Sequence, residues 1–544
     1  MTQPQSQYRP TEVAGAIPVE SFTSQETEFL RNYVTNVDKP VFALINLPEV
    51  VKGALFARYS RSRKSLRRLL LDEFRGDVAA PAEPRPPGQS RSNSLYNRVF
   101  AEYGDDSIAQ LGGVHVACEG VSNIATKLIE RGRLMSYLEQ STRYIAYTDR
   151  PGGHWRYHTP AEFVGPLRQR YQRDIDAWFE AYCALIPQVE GFLRDNMFRE
   201  GPLDQGPAFA RAVRAKTLDV LRGLLPASTR SNLGIFGSGQ AYESLIMRLR
   251  ASGNAEAAGF ADQLLAELEM VAPAFVARVD RPDRGLVWTE YLSQTRAGAK
   301  AVADAALAGQ VPEAAPSVSL VDFDPDGEIK VVAAALYAHS NLPDSQLLRI
   351  AADMTPSERA QILKAYLGNR SNRRHRPGRA FERTGYRFDV LADYGAFRDL
   401  QRHRMLTLDW QPLTVGHGYC TPEMAGPAGI TAEWDAAMEQ GADLFEAIRS
   451  EHPVDLAGYG VPMAYKIRYF MDMNAREAMH VIELRSAPQG HDAYRRIAVQ
   501  MHSLIAEQAG HTAIAEAMRF VSREDVGGLG RLEAELRRQG GSEA

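Results

Sequence analysis

Three stretches of this sequence combine residue types suited to chemistry on an anionic, planar substrate. The first holds Arg131, Gly132, Arg133, Ser136, Glu139, Ser141 and Arg143. A hydroxyl and a guanidinium two residues apart can grip a phosphate together, and turn N–H groups can add to the grip. Glu139 can accept from a ribose hydroxyl or a ring N–H. A charged helix end followed by a solvated loop is the bland alternative for an Arg-x-Arg pair taken alone. The second stretch is Arg402-His403-Arg404, and the third runs from Asn474, Ala475 and Arg476 through His480 to Arg485.

The elements around these residues repeat. Residues 41–60 read as a β-branched and aromatic strand, a turn at Leu47-Pro48 and a helix start, and residues 318–340 repeat that order. Asp106 and Ser107 can cap a helix with apolar positions Ile108, Leu111, Val114, Val121, Ile124 and Leu128, delivering Arg131 and Arg133. Val390, Leu391, Tyr394, Phe397 and Leu400 predict the matching helix that delivers Arg402, His403 and Arg404. An internal duplication explains this economically, each copy being a domain rather than a short solenoid repeat. The expected division is 1–295, an alanine-rich helix and linker at 296–316, and 317–544. The expected class is α+β, each half a sheet packed with helices. The proline-rich run from Ala79 to Gly88 reads as a loop.

Composition narrows the function. The 544 residues are 44% hydrophobic and 24% charged, with a formal net charge of -4, so no global field draws the chain to nucleic acid or anionic lipid. Cys118, Cys183 and Cys420 lack the spacing of a disulfide framework or a thiolate zinc site. A polar N-terminal segment and the absence of a membrane-length apolar run lead to a cytoplasmic expectation. Two basic clusters, Arg58 to Arg68 and Arg370 to Arg376, raise nucleic-acid binding, though solvated loops or phosphate contacts explain them equally. His403, His417, His480, His491 and His511 fall in the second half without a metal-ligand spacing, so no metal is expected. Gly234 to Gly239 only superficially suggests a dinucleotide loop.

The first stretch resembles, position by position, the R-H-R-x-x-S-x-x-E-x-S-x-R signature of the flavin-dependent thymidylate synthases. Tyr103-Gly104 to Ser107 and Glu119 to Ser122 are similar to that family too. The resemblance covers most of both halves. It implies FAD as cofactor, held by Ser107, Arg131, Arg133, Glu139, Arg402, His403, Arg404, Asn474, Ala475, Arg476 and His480. It implies a pyrimidine nucleotide, dUMP, held by Glu139, Ser141, Arg143, Arg222 and Arg485. Arg485 would be the catalytic group that polarises the uracil ring, methylenetetrahydrofolate the carbon donor and NADPH the reductant.

The two halves depart from the signature in opposite directions. The first has Gly132 for the central histidine and Leu249 for the ring arginine, but keeps Ser107, Glu139, Ser141, Arg143 and Arg222. The second keeps Arg402, His403, Arg404, Asn474, Arg476 and Arg485, but has Trp410, Pro412 and Thr414 in the phosphate loop and Gly458 at the position of Arg222. Losing two or three charge-assisted contacts at about 1.5 to 3 kcal/mol each would weaken a nucleotide by roughly two to six decades. Complementary losses lead to the expectation of one composite site shared by the halves, its symmetry mate decayed, and of a homodimer reproducing the family's tetramer. Leu128 in place of a substrate-contacting glutamine, and Asp105 in place of a histidine, open the alternative of a non-catalytic or altered-substrate paralogue that binds FAD or a nucleotide.

Overall fold

The computed structural model describes residues 20–47, 49–78, 113–196 and 207–523. Ser107, Asp105, Asp106, Pro48 and the run from Ala79 to Gly88 lie outside them. The chain divides into two compact units. One comprises Met1–Cys183, Leu225–Val311 and Asp443–Val461, and the other Ala184–Leu224, Pro312–Ala442 and Pro462–Ala544. Contiguous repeats and compact units are thus different divisions, because each unit takes in one segment from the other half of the sequence. Residues 296–306 continue the helix Gly285–Ala306, and a turn and chain without regular structure follow up to residue 317.

The first unit holds a four-stranded antiparallel sheet of β1 (Val41–Ala43), β2 (Gly113–Ser122), β3 (Met135–Glu139) and β4 (Arg230–Ser238), in the order β1-β2-β4-β3. Its strands alternate between two apolar faces. Val41, Val116, Cys118, Leu233 and Ile235 pack with Leu245, Leu249, Leu264 and Leu268. Phe42 and Ala117 belong to a second cluster with Leu55, Tyr59, Leu69 and Leu70. A strand buried on both faces reads as a continuous apolar run, so its period of two is masked.

The second unit repeats the design with β5 (Val318–Phe323), β6 (Gly385–Asp393), β7 (Thr407–Trp410) and β8 (Lys466–Asn474), in the order β5-β6-β8-β7. Here burial alternates cleanly: Tyr386, Phe388, Val390, Ile467, Tyr469, Met471 and Met473 are buried and their neighbours are not. The equal strand order in the two units, with a family-like motif after the second strand of each sequence half, fits the duplication.

The long helices expected before each Arg-x-Arg motif are a correction. Val114 and Val121 lie in β2, and Val390 and Leu391 lie in β6; only Asn123–Ile129 and Tyr394–Leu400 are helical. The start comes from the strand's last residue. The Ser122 side chain accepts from Ala125 N at 3.0 Å, and Asp393 Oδ1 accepts from Ala396 N at 2.9 Å. Each supplies an acceptor to an otherwise unpaired first-turn N–H. The same device starts the helix after the next long strand, with Ser238 before Gly239–Arg250 and Asn474 before Ala475–Arg485. No described helix is long and apolar enough to cross a membrane.

Candidate functional site

In the second unit the two capped helices bring the second and third motifs together. Arg402 and His403 follow the helix Tyr394–Leu400, and Arg485 ends the helix Ala475–Arg485. Arg485 Nε donates to His403 Nε2 at 2.9 Å. That bond requires a lone pair on Nε2, so the imidazole is neutral with its proton on Nδ1, which lies 3.6 Å from Glu477 Oε1. His403 is buried, and burial holds its pKa well below the ordinary value, with the charge of Arg485 and then His480 adding to the effect. The His480 ring is 5.6 Å from that of His403, edge on. Burial also raises the Glu477 carboxyl, against the pull of His480, Arg376 and Arg476.

Arg222 reaches the same unit from the first sequence half. Its Nη1 donates to Asp399 Oδ2 at 3.1 Å, and its buried Nη2 has no hydrogen-bond partner among the described residues. Asp393 stands close by: a side chain at Gly395 would put its Cβ 2.9 Å from Asp393 Oδ1 and 3.0 Å from Arg222 Nε, so only glycine fits. Burial raises the Asp393 carboxyl, while Arg222 opposes that shift. Arg222, Asp393, Cys420, Trp434, His491 and Arg495 line a cavity of about 590 Å³. Its size suits a small organic ligand. Burial pushes the Cys420 thiol up to about 11, so it offers no thiolate nucleophile near neutrality.

Other predicted residues of this unit are partly engaged in structure. Asn474 Oδ1 caps Glu477 N at 2.9 Å, Ala475 is buried, and Arg476 donates to Pro377 O at 2.9 Å and to Glu382 at 3.1 Å. Arg404 is exposed. His403, Glu477 and His480 can present donor atoms within 4.8 Å of one another. Electrostatics oppose a divalent cation there, because Arg373, Arg376 and Arg485 all act on His480 and depress it.

Glu139, Ser141, Arg143, Arg131 and Arg133 belong to the first unit. Glu139 is buried and receives a hydrogen bond from Lys127 Nζ at 3.2 Å, so its carboxylate already has a cation. Ser141 Oγ accepts from Arg143 N at 3.3 Å, forming the small turn the motif suggests. Arg131 and Arg133 are exposed. At Gly132 a Cβ would lie 2.5 Å from the Tyr137 hydroxyl, so any larger residue there would have to displace that ring. Leu249, at the ring-arginine position, is fully buried in the core.

The first unit also shows what stands at the position that corresponds to Arg222. Tyr459, beside Gly458, donates to Glu256 Oε2 at 2.8 Å and receives Asn254 Nδ2 at 2.9 Å. Ser122, the counterpart of Asp393, donates its hydroxyl to Glu256 at 2.6 Å, and His158 lies 3.7 Å from the same carboxylate. These buried side chains satisfy one another. Sequence reasoning missed Asp393, Asp399, Glu477 and Glu256. Asp393 had a usable signal, an acid directly before Tyr394 within the apolar run that leads to Arg402.

A family model described as thymidylate synthase complementing protein, Thy1, matches residues 54–274 and again 319–509. The chain belongs to the Thy1 family. Each match takes in most of one half, as expected for a tandem Thy1 protein. Among its relatives, a UPF0159 protein of Chlamydia pneumoniae is 39% identical over 96% of this chain and 98% of its own length. A UPF0159 protein of Thermoplasma acidophilum is 33% identical over 90% and 98%. A flavin-dependent thymidylate synthase of Mycobacterium sp. (strain JLS) is 27% identical over 38% of this chain and 78% of its own. The Thy1 family is that of the flavin-dependent thymidylate synthases, and the resemblance read from the Arg-x-Arg motif holds.

Proposed function

We propose that this Thy1 protein is an FAD-dependent thymidylate synthase, converting dUMP, methylenetetrahydrofolate, NADPH and a proton to dTMP, tetrahydrofolate and NADP⁺. The observation that carries the proposal is the Arg485–His403 contact beside Arg222, which gathers residues of both sequence halves into one unit. FAD, when bound, supplies the hydride that completes the new methyl group. The residues fit such a cofactor: Arg373, Arg376, Arg402, Arg476 and Arg485 outnumber Glu477, Asp399 and Glu382 around His403 and His480. A cationic surplus with a neutral imidazole suits an electron-rich, phosphate-bearing ligand.

Within that arrangement Arg402, His403, Arg404, Asn474, Ala475, Arg476 and His480 are the cofactor-side residues, with Ser107, Arg131, Arg133 and Glu139 assigned by the family signature. Arg485 draws electron density from the uracil, a role suited to a guanidinium that keeps its proton. Arg222 orients the phosphate and so commits remote binding energy to positioning, and the family signature assigns Ser141 and Arg143 to the nucleotide as well. We place the protein in the cytoplasm as a homodimer. One observation favours a second reading, an altered pyrimidine substrate: Asp399 stands three residues before Arg402, where the family has a glutamine, and already holds Arg222.

Flavin content per chain, followed by dUMP titration of the flavin spectrum, tests the proposal. Bound flavin that responds saturably to dUMP is the expected result. Flavin blind to dUMP but responsive to another pyrimidine nucleotide would select the second reading, and a protein that takes up no flavin would end both.

A further inference from the structure

The basic cluster from Arg370 to Arg376 lies along the helix that carries Glu477 and His480, and it is tied to that helix at both ends. At one end Arg370 makes a buried bidentate pair with Glu483, at 2.9 and 2.6 Å. The same guanidinium holds the loop's own His375 O at 2.6 Å and Ala517 O at 2.8 Å. At the other end Pro377 O accepts from Arg476 Nε at 2.9 Å. Residues 476 and 483 bracket 477 and 480, so the loop is preorganised beside the face that bears the candidate site.

Between these anchors Arg373 is half-buried and Arg376 exposed, and neither side chain makes a hydrogen bond or ion pair with a described residue. Their charge nevertheless reaches the site, where both guanidiniums depress His480 and Arg376 stabilises the Glu477 carboxylate. Two cations in no hydrogen bond or ion pair with a described residue, on a loop fixed at both ends, form a ready anion grip, since little ordering remains to be done on binding.

We infer that residues 370–377 form a diphosphate-binding arm of the second unit's site, with Arg373 and Arg376 as the gripping groups and Arg370 as the positioning residue. The inference rests on the flavin-enzyme reading for its ligand, a dinucleotide diphosphate, which both FAD and NADPH carry. It also gives the cluster a role within the site in place of nucleic-acid binding.

The test is Arg373→Gln with Arg376→Gln, substitutions that remove no intramolecular contact, compared with Arg374→Gln in the same loop. FAD and riboflavin affinities are read by flavin fluorescence, and flavin reduction is followed with NADPH and with dithionite. About a tenfold loss per removed guanidinium is expected, with Arg374→Gln within about twofold of wild type. Weaker FAD with unchanged riboflavin identifies the flavin's diphosphate. Unchanged FAD with a raised half-saturating NADPH and normal dithionite reduction identifies the nicotinamide dinucleotide. FAD and NADPH constants all within about twofold would overturn the arm, including the case in which the double variant loses only retention of single-stranded DNA. If wild type takes up no flavin, the enzyme reading fails separately. Pyrophosphate titrated calorimetrically then decides the arm, and equal heats for wild type and double variant overturn it.

Discussion

Replacing Arg485 by Gln removes the charge beside His403 while leaving a side-chain N–H near its position. The guanidinium is partly buried and held by His403 Nε2 at 2.9 Å, with the Tyr494 ring 5.4 Å away. For a unit charge about 4 Å away at an effective dielectric near 20, the lost attraction is about 4 kcal/mol. That corresponds to roughly a thousandfold in rate when the charge develops only in the transition state. The assay is dTMP formation under saturating substrate, alongside flavin content and the His403 titration followed by NMR. Turnover should fall by about three decades with flavin retained, and the His403 pKa should rise, since Arg485 is one of the groups that depress it. Turnover within about threefold of wild type would refute the reasoning. So would a raised KM with unchanged kcat, because that pattern belongs to uniform binding.

Arg222→Leu takes the donor at 3.1 Å from Asp399 and the opposing cation from Asp393, so urea unfolding should show a loss of about 3 to 5 kcal/mol, partly recovered in the double variant with Asp399→Leu. Gly132→His, which restores the family's residue, should destabilise by about 1 to 3 kcal/mol and bring no additional flavin, because the Tyr137 hydroxyl occupies the space. Tyr459→Phe removes the hydroxyl that Glu256 and Asn254 share and should cost about 1 to 3 kcal/mol without altering flavin binding. His403 and His158 are both lowered by burial, so between their folded values and 6.5 the unfolded chain binds more protons. Their stabilisation is therefore complete above pH 6.5 and is lost as pH falls below it; urea midpoints from pH 8 to 5 should show this, with a shallower fall in His403→Gln.

The fold was legible where one signal dominated. β8 alternates and Asn474 is a good cap, so the strand, the cap and the helix to Arg485 follow from pattern alone. The segments before the Arg-x-Arg motifs misled for a physical reason. Val114 and Val121 belong to β2, and joined to the short helix Asn123–Ile129 the positions 114, 121, 124 and 128 imitate a helical period. The site was legible in its arginines, whose spacing is local. Its carboxylates were not, because Asp399, Glu477 and Glu256 gain their meaning from partners 177, 74 and 203 residues away, Arg222, His403 and Tyr459. No window along the chain contains both members of such a pair.

The two units show how a duplicated site can diverge without losing its fold. In each, the residue ending the second strand caps the helix before the Arg-x-Arg motif, and a segment from the other sequence half packs nearby. In the second unit that segment brings Arg222, which bonds Asp399 and leaves one nitrogen without a partner among the described residues. In the first it brings Tyr459, whose hydroxyl joins Ser122, Asn254 and Glu256 in a mutually satisfied network. Buried polar groups that satisfy one another gain little from a ligand, whereas an incompletely bonded guanidinium gains by binding one. Leu249 follows from the same difference. It lies fully buried in the core of the first unit, where an arginine would be a buried charge without a task.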